Sequence, residues 1–254
     1  MRSQGILAAI ALLTLVASTV HAQTPADSLT PLQLSVACAL PPATSSGPPA
    51  DALLVIGAQD TVPRNLFHQH DLLVVNGGSA RGVQLGQQYF VRRREGFGIA
   101  YANRSPHALR TAGWIRVVAV NDTTAIASVE HGCDGIFAGD FLEPFVAPVV
   151  PAGADRVDTS GTLDFASLGR VLFGDQERRT GCTGEYMVID RGTDQGVTPG
   201  AHFAVYRDLG TAELPLASIG ELTVVSTAPT LAVARINVAR DAVQSGDFVV
   251  PRKP

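Results

Sequence analysis

Two small groups of residues carry side chains suited to chemistry. His68 and His70 are separated by one residue, so a strand here would place both imidazoles on one face, as in half of a metal site. No third ligand with a suitable local spacing accompanies them, and two histidines in a surface loop are the alternative. Cys182 lies between glycines and could act as a nucleophile if His131 or His202 came close.

The motifs of the common catalytic classes are absent from the sequence, which contains no Gly-x-Ser-x-Gly, His-Glu-x-x-His or P-loop lysine motif. We therefore predict a protein without a catalytic centre, a cofactor or a metal ion. The only run of three basic residues is Arg-Arg-Arg at residues 92–94. A solvated strand edge explains this run, because charge discourages edge pairing, and a strip that binds polyanions is the alternative.

The bulk composition restricts the partners. The chain has 254 residues and a net charge of −4, which provides no global electrostatic attraction for nucleic acid. We therefore expect no nucleic-acid partner. In an oxidising compartment the three cysteines Cys38, Cys133 and Cys182 would form one disulfide and leave one thiol, free or bonded to another chain, and three pairings are open.

Residues 1–22 have the pattern of a secretory signal peptide. Arg2 supplies a positive charge, residues 6–20 form an uncharged run, and Val20-His21-Ala22 provides a cleavage site. An uncleaved anchor is the alternative, although a transmembrane helix needs about 20 apolar residues. We expect cleavage, export of the remaining chain, and no later membrane-spanning segment.

The rest of the sequence contains a duplication. Three blocks recur in the same order, at offsets of 114, 107 and 117 residues. The blocks are residues 71–93 with 185–207, 113–144 with 220–251, and 54–59 with 171–176. A repeat of this length is a domain and not a solenoid unit, and the first copy carries seven extra residues within 95–111.

The repeated blocks consist of short apolar runs rich in β-branched residues and bounded by Gly, Asn, Asp or Pro, which is the pattern of strands. Convincing helical periodicity is absent after the signal peptide. The sequence therefore predicts an all-β protein with two tandem, homologous small β-barrel domains. The first would cover residues 23–146 with an N-terminal extension, residues 147–168 would form a linker, and the second would cover residues 169–254.

Glycines spaced four apart mark one connection in each copy. Glycine accepts positive φ, so we assign structural turn roles to Gly78, Gly82, Gly86, Gly192, Gly196 and Gly200. We expect Val83 and Val197, the apolar residues of these loops, to plug the barrel ends. A phosphate-binding loop is the alternative, but such loops precede a helix and here a strand follows. Asp140 and Asp247, which precede the final strands, are assigned to turns in preference to a catalytic or metal-binding role.

These blocks resemble the C-terminal domain of the flagellar assembly protein T family, which occurs singly or in tandem in exported bacterial proteins. The resemblance rests on a strand, then Gly78-x-x-x-Gly82-Val83-x-x-Gly86, then a strand with the pattern aromatic-x-Val-x-Arg. A second strand pair follows and is closed by Gly139-Asp140-Phe141-Leu142. The resemblance covers residues 53–144 and again residues 171–251.

The resemblance implies small β-barrels that serve as a periplasmic assembly or binding module without a catalytic centre. Tandem relatives often carry one cysteine ahead of the first copy and another before its last strand, which implies a disulfide between Cys38 and Cys133. The second copy has Arg240 at the matching place, and its Cys182 lies outside the pattern.

We therefore predict a non-enzymatic module of the bacterial cell envelope, located in the periplasm, with envelope proteins or a cell-wall component as partners. A peptidoglycan- or glycan-binding module is the first alternative, although a chain with one Trp and four Tyr is poor in the aromatic residues that such modules need. The second alternative is a secreted hydrolase that uses Cys182 or a metal site at His68 and His70.

Overall fold

The computed structural model describes residues 29–42, 48–94, 109–211 and 214–253. Within these residues the chain is nearly all-β, which confirms the predicted fold class, and it has one α-helix, α1 (Pro31–Cys38). The expected signal peptide and most of the expected insertion at residues 95–111 lie outside the described residues. In the described part of the chain, no helix is long and apolar enough to cross a membrane.

The first copy of the repeat forms a closed barrel of six strands with a two-stranded ladder beside it. Its strands are β1 (Leu53–Ala58), β2 (Leu66–Phe67), β3 (Leu72–Val75), β4 (Gln88–Arg94), β5 (Leu109–Val120), β6 (Ala125–Gly132), β7 (Ile136–Phe137) and β8 (Phe141–Pro144). The order around the barrel is β1-β3-β6-β5-β4-β8, and β2 pairs with β7. The ring closes because β8 pairs with β1 on one side and β4 on the other.

The second copy repeats this topology strand for strand. Its strands are β9 (Thr162–Leu163), β10 (Gly169–Gly174), β11 (Thr180–Gly181), β12 (Tyr186–Ile189), β13 (His202–Arg207), β14 (Ala217–Thr227), β15 (Ala232–Ala239), β16 (Val243–Gln244) and β17 (Phe248–Lys253). The order is β10-β12-β15-β14-β13-β17, closed by a β10–β17 pairing, and β11 pairs with β16. One strand of the expected linker, β9, adds to the end of β17.

The hydrogen-bond registers confirm two of the three aligned blocks. Val75 pairs with Ala125 in the first barrel, and Ile189 pairs with Ala232 in the second, which reproduces the offsets of 114 and 107 residues. The two barrels therefore have the same backbone pairing, as expected of a duplicated domain.

The third block is shifted by one residue from its sequence alignment. The alignment matched Leu54 to Val171, but the ladders match Val55 to Val171, because these residues pair with the equivalent Val75 and Ile189. Similar apolar residues beside a glycine favoured the wrong match. Hydrogen bonds, and not side-chain likeness, determine which backbone positions are equivalent.

Each barrel encloses its own apolar core, built from the inward-facing residues of its strands. The largest fully buried core side chains include Leu73 and Ile115 in the first barrel, and Met187, Phe203 and Leu222 in the second. Val83 and Val197 belong to these clusters, and they are 3% and 6% exposed. The expected apolar plug at one end of each barrel is thereby confirmed.

The glycines of the repeated loop have two separate structural roles. Gly82, Gly86, Gly196 and Gly200 have φ between +75° and +92°, as expected. Gly78 and Gly192 have negative φ and are required for another reason. Each glycine loop is hydrogen-bonded through its backbone to a neighbouring strand connection. A Cβ on Gly78 would overlap a carbonyl oxygen of the loop between β5 and β6, and a Cβ on Gly192 would overlap one of the loop between β14 and β15.

Helix α1 is the element that the sequence reasoning missed. It has eight residues, too few to give a periodic pattern, and it begins with a capping box in which Thr30 and Gln33 bond reciprocally. Pro31 occupies the first turn, where its missing N–H leaves no bond unmade. The Thr-Pro-x-Gln run was the available sequence signal.

An arginine and an aspartate form the same network in each barrel. Arg93 donates from Nε and Nη2 to the two carboxylate oxygens of Asp140 at 2.7 and 2.6 Å, and Arg207 does the same to Asp247 at 2.7 and 2.8 Å. Each carboxylate also accepts a hydrogen bond from the backbone N–H of the residue three positions earlier, Phe137 or Gln244. Both carboxylates are buried, so Asp140 and Asp247 hold the turns before the last strands, β8 and β17.

The close approach at Gly192 yields a stability prediction. Gly192→Ala should destabilise the chain more than Gly196→Ala, because the first adds a backbone overlap. At position 196 there is open space for a Cβ, so the loss of stability should be only about 1–2 kcal/mol, the cost of a residue with a Cβ in the left-handed backbone conformation. Urea unfolding measures both. Gly57→Ala, which has open space and no positive φ, is the control, and an equal loss at positions 192 and 196 would contradict the interpretation.

The arginine–aspartate network yields a second prediction. Asp247→Asn removes a charged acceptor from three hydrogen bonds and should lower the free energy of unfolding by about 2–3 kcal/mol. Asp241→Asn is the matched control, since Asp241 is an exposed partner of the same Arg207 and should cost less than about 1 kcal/mol. Denaturant unfolding measures both variants. Similar losses of unfolding free energy would show that the hydrogen bonds of the buried Asp247 are no more important than the exposed contact of Asp241.

Candidate functional site

The disulfide implied by the family resemblance is present. Cys38, the last residue of α1, is bonded to Cys133, which follows β6, with a Cα–Cα distance of 5.4 Å. Cys182 is free and exposed. The bond joins residues 95 positions apart and fixes the N-terminal helix to the outside of the first barrel.

The histidine pair at His68 and His70 is not on a strand. Both side chains are exposed in the turn between β2 and β3, so the loop alternative is confirmed and the strand placement is wrong. His70 has φ +72°, and the equivalent residue of the second barrel is Gly184, with φ +94°. No ligand cluster that includes either histidine is formed among the described residues.

Cys182 occupies the equivalent turn of the second barrel. Its backbone N–H donates to a carboxylate oxygen of Glu185 at 2.7 Å, as that of His68 does to Asp71 at 2.9 Å. The histidines proposed to activate it have other neighbours. Nδ1 of His202 is 3.0 Å from the Thr223 hydroxyl, and His131 stacks on Trp114 with ring centroids 4.6 Å apart.

The arginine run at residues 92–94 lies at the end of β4. This strand pairs with β5 as far as Arg94 but with β8 only as far as Arg92, so Arg92 lies between two neighbouring strands, which corrects the strand-edge interpretation for that residue. Arg92 is buried over the Phe90 ring and pairs with Glu143 at 3.0 Å. Burial lowers the pKa of Arg92, while Glu143 partly opposes that effect. Arg93 is engaged by Asp140, so neither arginine is available for a polyanion.

The N-terminal segment lies between the two barrels and contacts both. On one side, Ala37 packs with Phe90, Trp114 and Phe145 on the outer face of the first barrel. On the other side, Leu40 packs in a cluster on the outer face of the second barrel, formed by residues such as Phe173, Tyr186 and Val225. We call residues 31–40 the clamp segment.

Polar contacts fix the clamp segment in the same position. The Ser35 and Tyr186 hydroxyls are 2.9 Å apart, and the Thr111 hydroxyl donates to the Ala39 carbonyl at 3.0 Å. Thr111 belongs to the first barrel and Tyr186 to the second. The space between the barrels is thus partly occupied by the protein's own chain.

A pocket of about 570 Å³ lies at the end of the second barrel, next to the glycine loop. Its apolar lining includes Val197, Phe203 and Pro251, and none of the described residues that line it is a carboxylate. Four basic side chains surround this apolar lining: Arg191, His202, Arg252 and Lys253. An apolar pocket with a few convergent polar groups is the usual form of a small-ligand site.

Carboxylates outside the pocket hold two of these basic groups firmly. Glu221 binds Arg252 through Nε and Nη2 at 3.0 and 2.7 Å and raises its pKa. Lys253 contacts Asp164 at 2.6 Å, and hydrogen bonds from Lys253 and Ser167 lower the pKa of Asp164 to about 2. Lys253 has three donors and uses one in this contact, so it keeps donors for a ligand.

The other two basic groups are held more loosely. His202 Nε2 is 3.6 Å from a carboxylate oxygen of Asp158. Arg191 Nη1 donates to the Asp190 carbonyl at 3.2 Å and is 3.7 Å from the Asp190 carboxylate. A guanidinium has five N–H donors, so Arg191 retains donors that can meet an anionic group in the pocket.

The first barrel has one basic side chain at the equivalent positions, Arg81 at the place of Gln195, and its guanidinium donates to the carbonyls of Asn76 and Asp51. By the offsets of the duplication, the places of Arg191, His202, Arg252 and Lys253 are held by Gly77, Gln88, Phe145 and Val146. Phe145 is completely buried on the outer face of the first barrel. Arg191 and His202 lie within the aligned blocks, so their differences from Gly77 and Gln88 were the sequence signal for this site.

One group of metal-binding side chains lies outside the pocket. Cys38, His131 and Cys133 place one ligand atom each within 4.8 Å of one another, and all three residues are half-buried. Burial lowers the pKa of His131. In the structure the two sulfurs are bonded to each other, so they are not free to bind a metal ion.

No family model matches the chain, and no curated protein is significantly similar to it.

The disulfide gives a third stability prediction. Replacing both Cys38 and Cys133 with Ser should lower the free energy of unfolding by up to about 4–5 kcal/mol, because the bond closes a loop of 95 residues. Amides of the clamp segment should exchange hydrogen faster. Cys182→Ser is the control and should change neither quantity, and unchanged stability in the double variant would refute the role given to the bond.

Proposed function

We propose that this chain is a non-enzymatic, exported module of the bacterial cell envelope, and that it binds an anionic group of an envelope protein in the pocket of the second barrel. The observation that carries the proposal is the pocket with four basic side chains, which only the second copy of the repeat possesses. The two copies share a backbone framework but differ at these positions. This difference is consistent with a division of roles, in which the first barrel is structural and the second barrel binds the partner.

The disulfide and the family resemblance support the proposed compartment. A disulfide is stable in oxidising compartments and rare in reducing ones, so the Cys38–Cys133 bond agrees with export. The signal-peptide pattern and the resemblance to the flagellar assembly protein T family favour the periplasm. The envelope role rests on that resemblance, and the position of the pocket rests on the geometry of the second barrel.

The alternatives have less support. A glycan-binding module uses exposed aromatic rings, and Trp114, the only tryptophan, is 2% exposed. A hydrolase would need Cys182 or the pair His68 and His70 to be assembled into a site, and these side chains lie in exposed turns of different barrels.

The proposal predicts a charge-dependent partner. The immobilised full chain should recover a specific protein from periplasmic extract, and Arg191→Glu should reduce the recovery at least about tenfold through loss of a charged contact. Added salt should weaken the binding, because exposed charges are screened. Arg240→Glu makes the same charge change at an exposed residue outside the pocket and should not alter recovery.

Two outcomes would overturn the proposal. Equal recovery by Arg191→Glu and the unmodified chain would show that the pocket is not the binding site. Co-sedimentation with purified sacculi, without recovery of any protein, would favour the glycan-binding alternative.

A further inference from the structure

The Cys38–Cys133 disulfide lies beside a third group that is able to bind a metal ion. This group is His131, which precedes Cys133 by two residues, and its imidazole has a ring nitrogen within 4.8 Å of both sulfurs. It is held there by stacking on Trp114, with the ring planes 21° apart. The arrangement brings two sulfurs and one nitrogen together on the outside of the first barrel.

We propose that, when the disulfide is reduced, Cys38, Cys133 and His131 form a zinc site with two sulfur ligands and one nitrogen ligand. This inference is independent of the proposed binding function. It concerns a separate place in the fold and would hold whatever the pocket of the second barrel binds.

The geometry fits zinc with a small adjustment. Tetrahedral zinc binds sulfur at about 2.3 Å and nitrogen at about 2.0–2.1 Å, which places its ligand atoms about 3.5–3.8 Å apart. The His131 nitrogen lies within 4.8 Å of both sulfurs and reaches these distances by an approach of about 1 Å, whereas the two sulfurs, once their bond is broken, must move apart by roughly 1.5–2 Å. The cysteine Cα atoms, 5.4 Å apart, are close enough for both side chains to reach one ion. Water would complete the tetrahedron, since all three residues are half-buried.

A dithiol reductant can convert the disulfide into the two thiols that the zinc site requires. The dithiol gives two electrons and two protons to the S–S bond of Cys38 and Cys133, and it is itself oxidised to a disulfide. The bond breaks to two thiols. Zinc then binds both sulfurs as thiolates, and the two thiol protons are released to water.

The site is specific to the first copy of the repeat. The residues of the second barrel at the places of His131 and Cys133 are Val238 and Arg240, which cannot form such a site. In the first barrel, both the disulfide and the zinc ion would join the end of α1 to the end of β6. Zinc would therefore keep the clamp segment on the first barrel when the disulfide is open.

The test uses cobalt as a visible substitute for zinc. The untagged full chain with Cys182→Ser is reduced with a phosphine, checked by circular dichroism for retained β-structure, and titrated with Co²⁺. We expect one ion per chain, with a thiolate-to-cobalt charge-transfer band and the d–d bands of tetrahedral cobalt. Excess Zn²⁺ should remove these bands, and the fluorescence of Trp114, the only tryptophan, should change on binding.

His131→Phe is the matched variant, because it retains a ring to stack on Trp114 and removes the nitrogen ligand. It should weaken binding by more than about 100-fold, since loss of outer-shell partners alone costs about 10–100-fold. Cys133→Ser keeps the exposed His68 and His70 and reports any adventitious binding. No cobalt spectrum in the reduced chain, or equal affinity in His131→Phe, would overturn the proposal.

Discussion

The closure of each barrel by its last strand is the constraint on which the rest of the structure depends. Strands β8 and β17 each pair with two neighbours, and a shift in either would open the ring and expose the apolar core. A buried aspartate fixes the turn that leads into each of these strands. It is held by an arginine of β4 in the first barrel, where Arg93 binds Asp140, and by an arginine of β13 in the second. Because the same network occurs twice, it belongs to the ancestral unit.

The two barrels differ most where they face other parts of the chain. All four residues of β12 are buried, whereas Leu72 on the equivalent β3 is 40% exposed. The difference arises because the clamp segment covers the outer face of the second barrel at Tyr186 and Val188. One short segment thus uses apolar surface on both barrels, and its disulfide holds it on the first.

The two candidate sites lie at places where the copies differ. The basic pocket replaces neutral positions of the first barrel, such as Gln88, Phe145 and Val146, and the Cys38, His131 and Cys133 group has no equivalent in the second. The side chains that distinguish these sites, the four basic residues in one barrel and Cys38, His131 and Cys133 in the other, lie outside the apolar cores that the strands enclose. A duplicated fold can therefore acquire new surface chemistry in one copy without loss of the common framework.

The sequence by itself determined the fold class, the duplication and the roles of Val83 and Val197, because period-two apolar runs and glycine spacing are local properties. It could not determine the partner of Asp140 or the burial of Arg92, since both depend on strands that meet only when the ring closes. It also missed α1, whose eight residues are too few for a periodic signal and whose stability comes from packing between two barrels. Tertiary structure decided the pocket for the same reason: Arg191, His202 and Lys253 lie on three separate parts of the chain and converge only because β13 and β17 are neighbours beside the glycine loop.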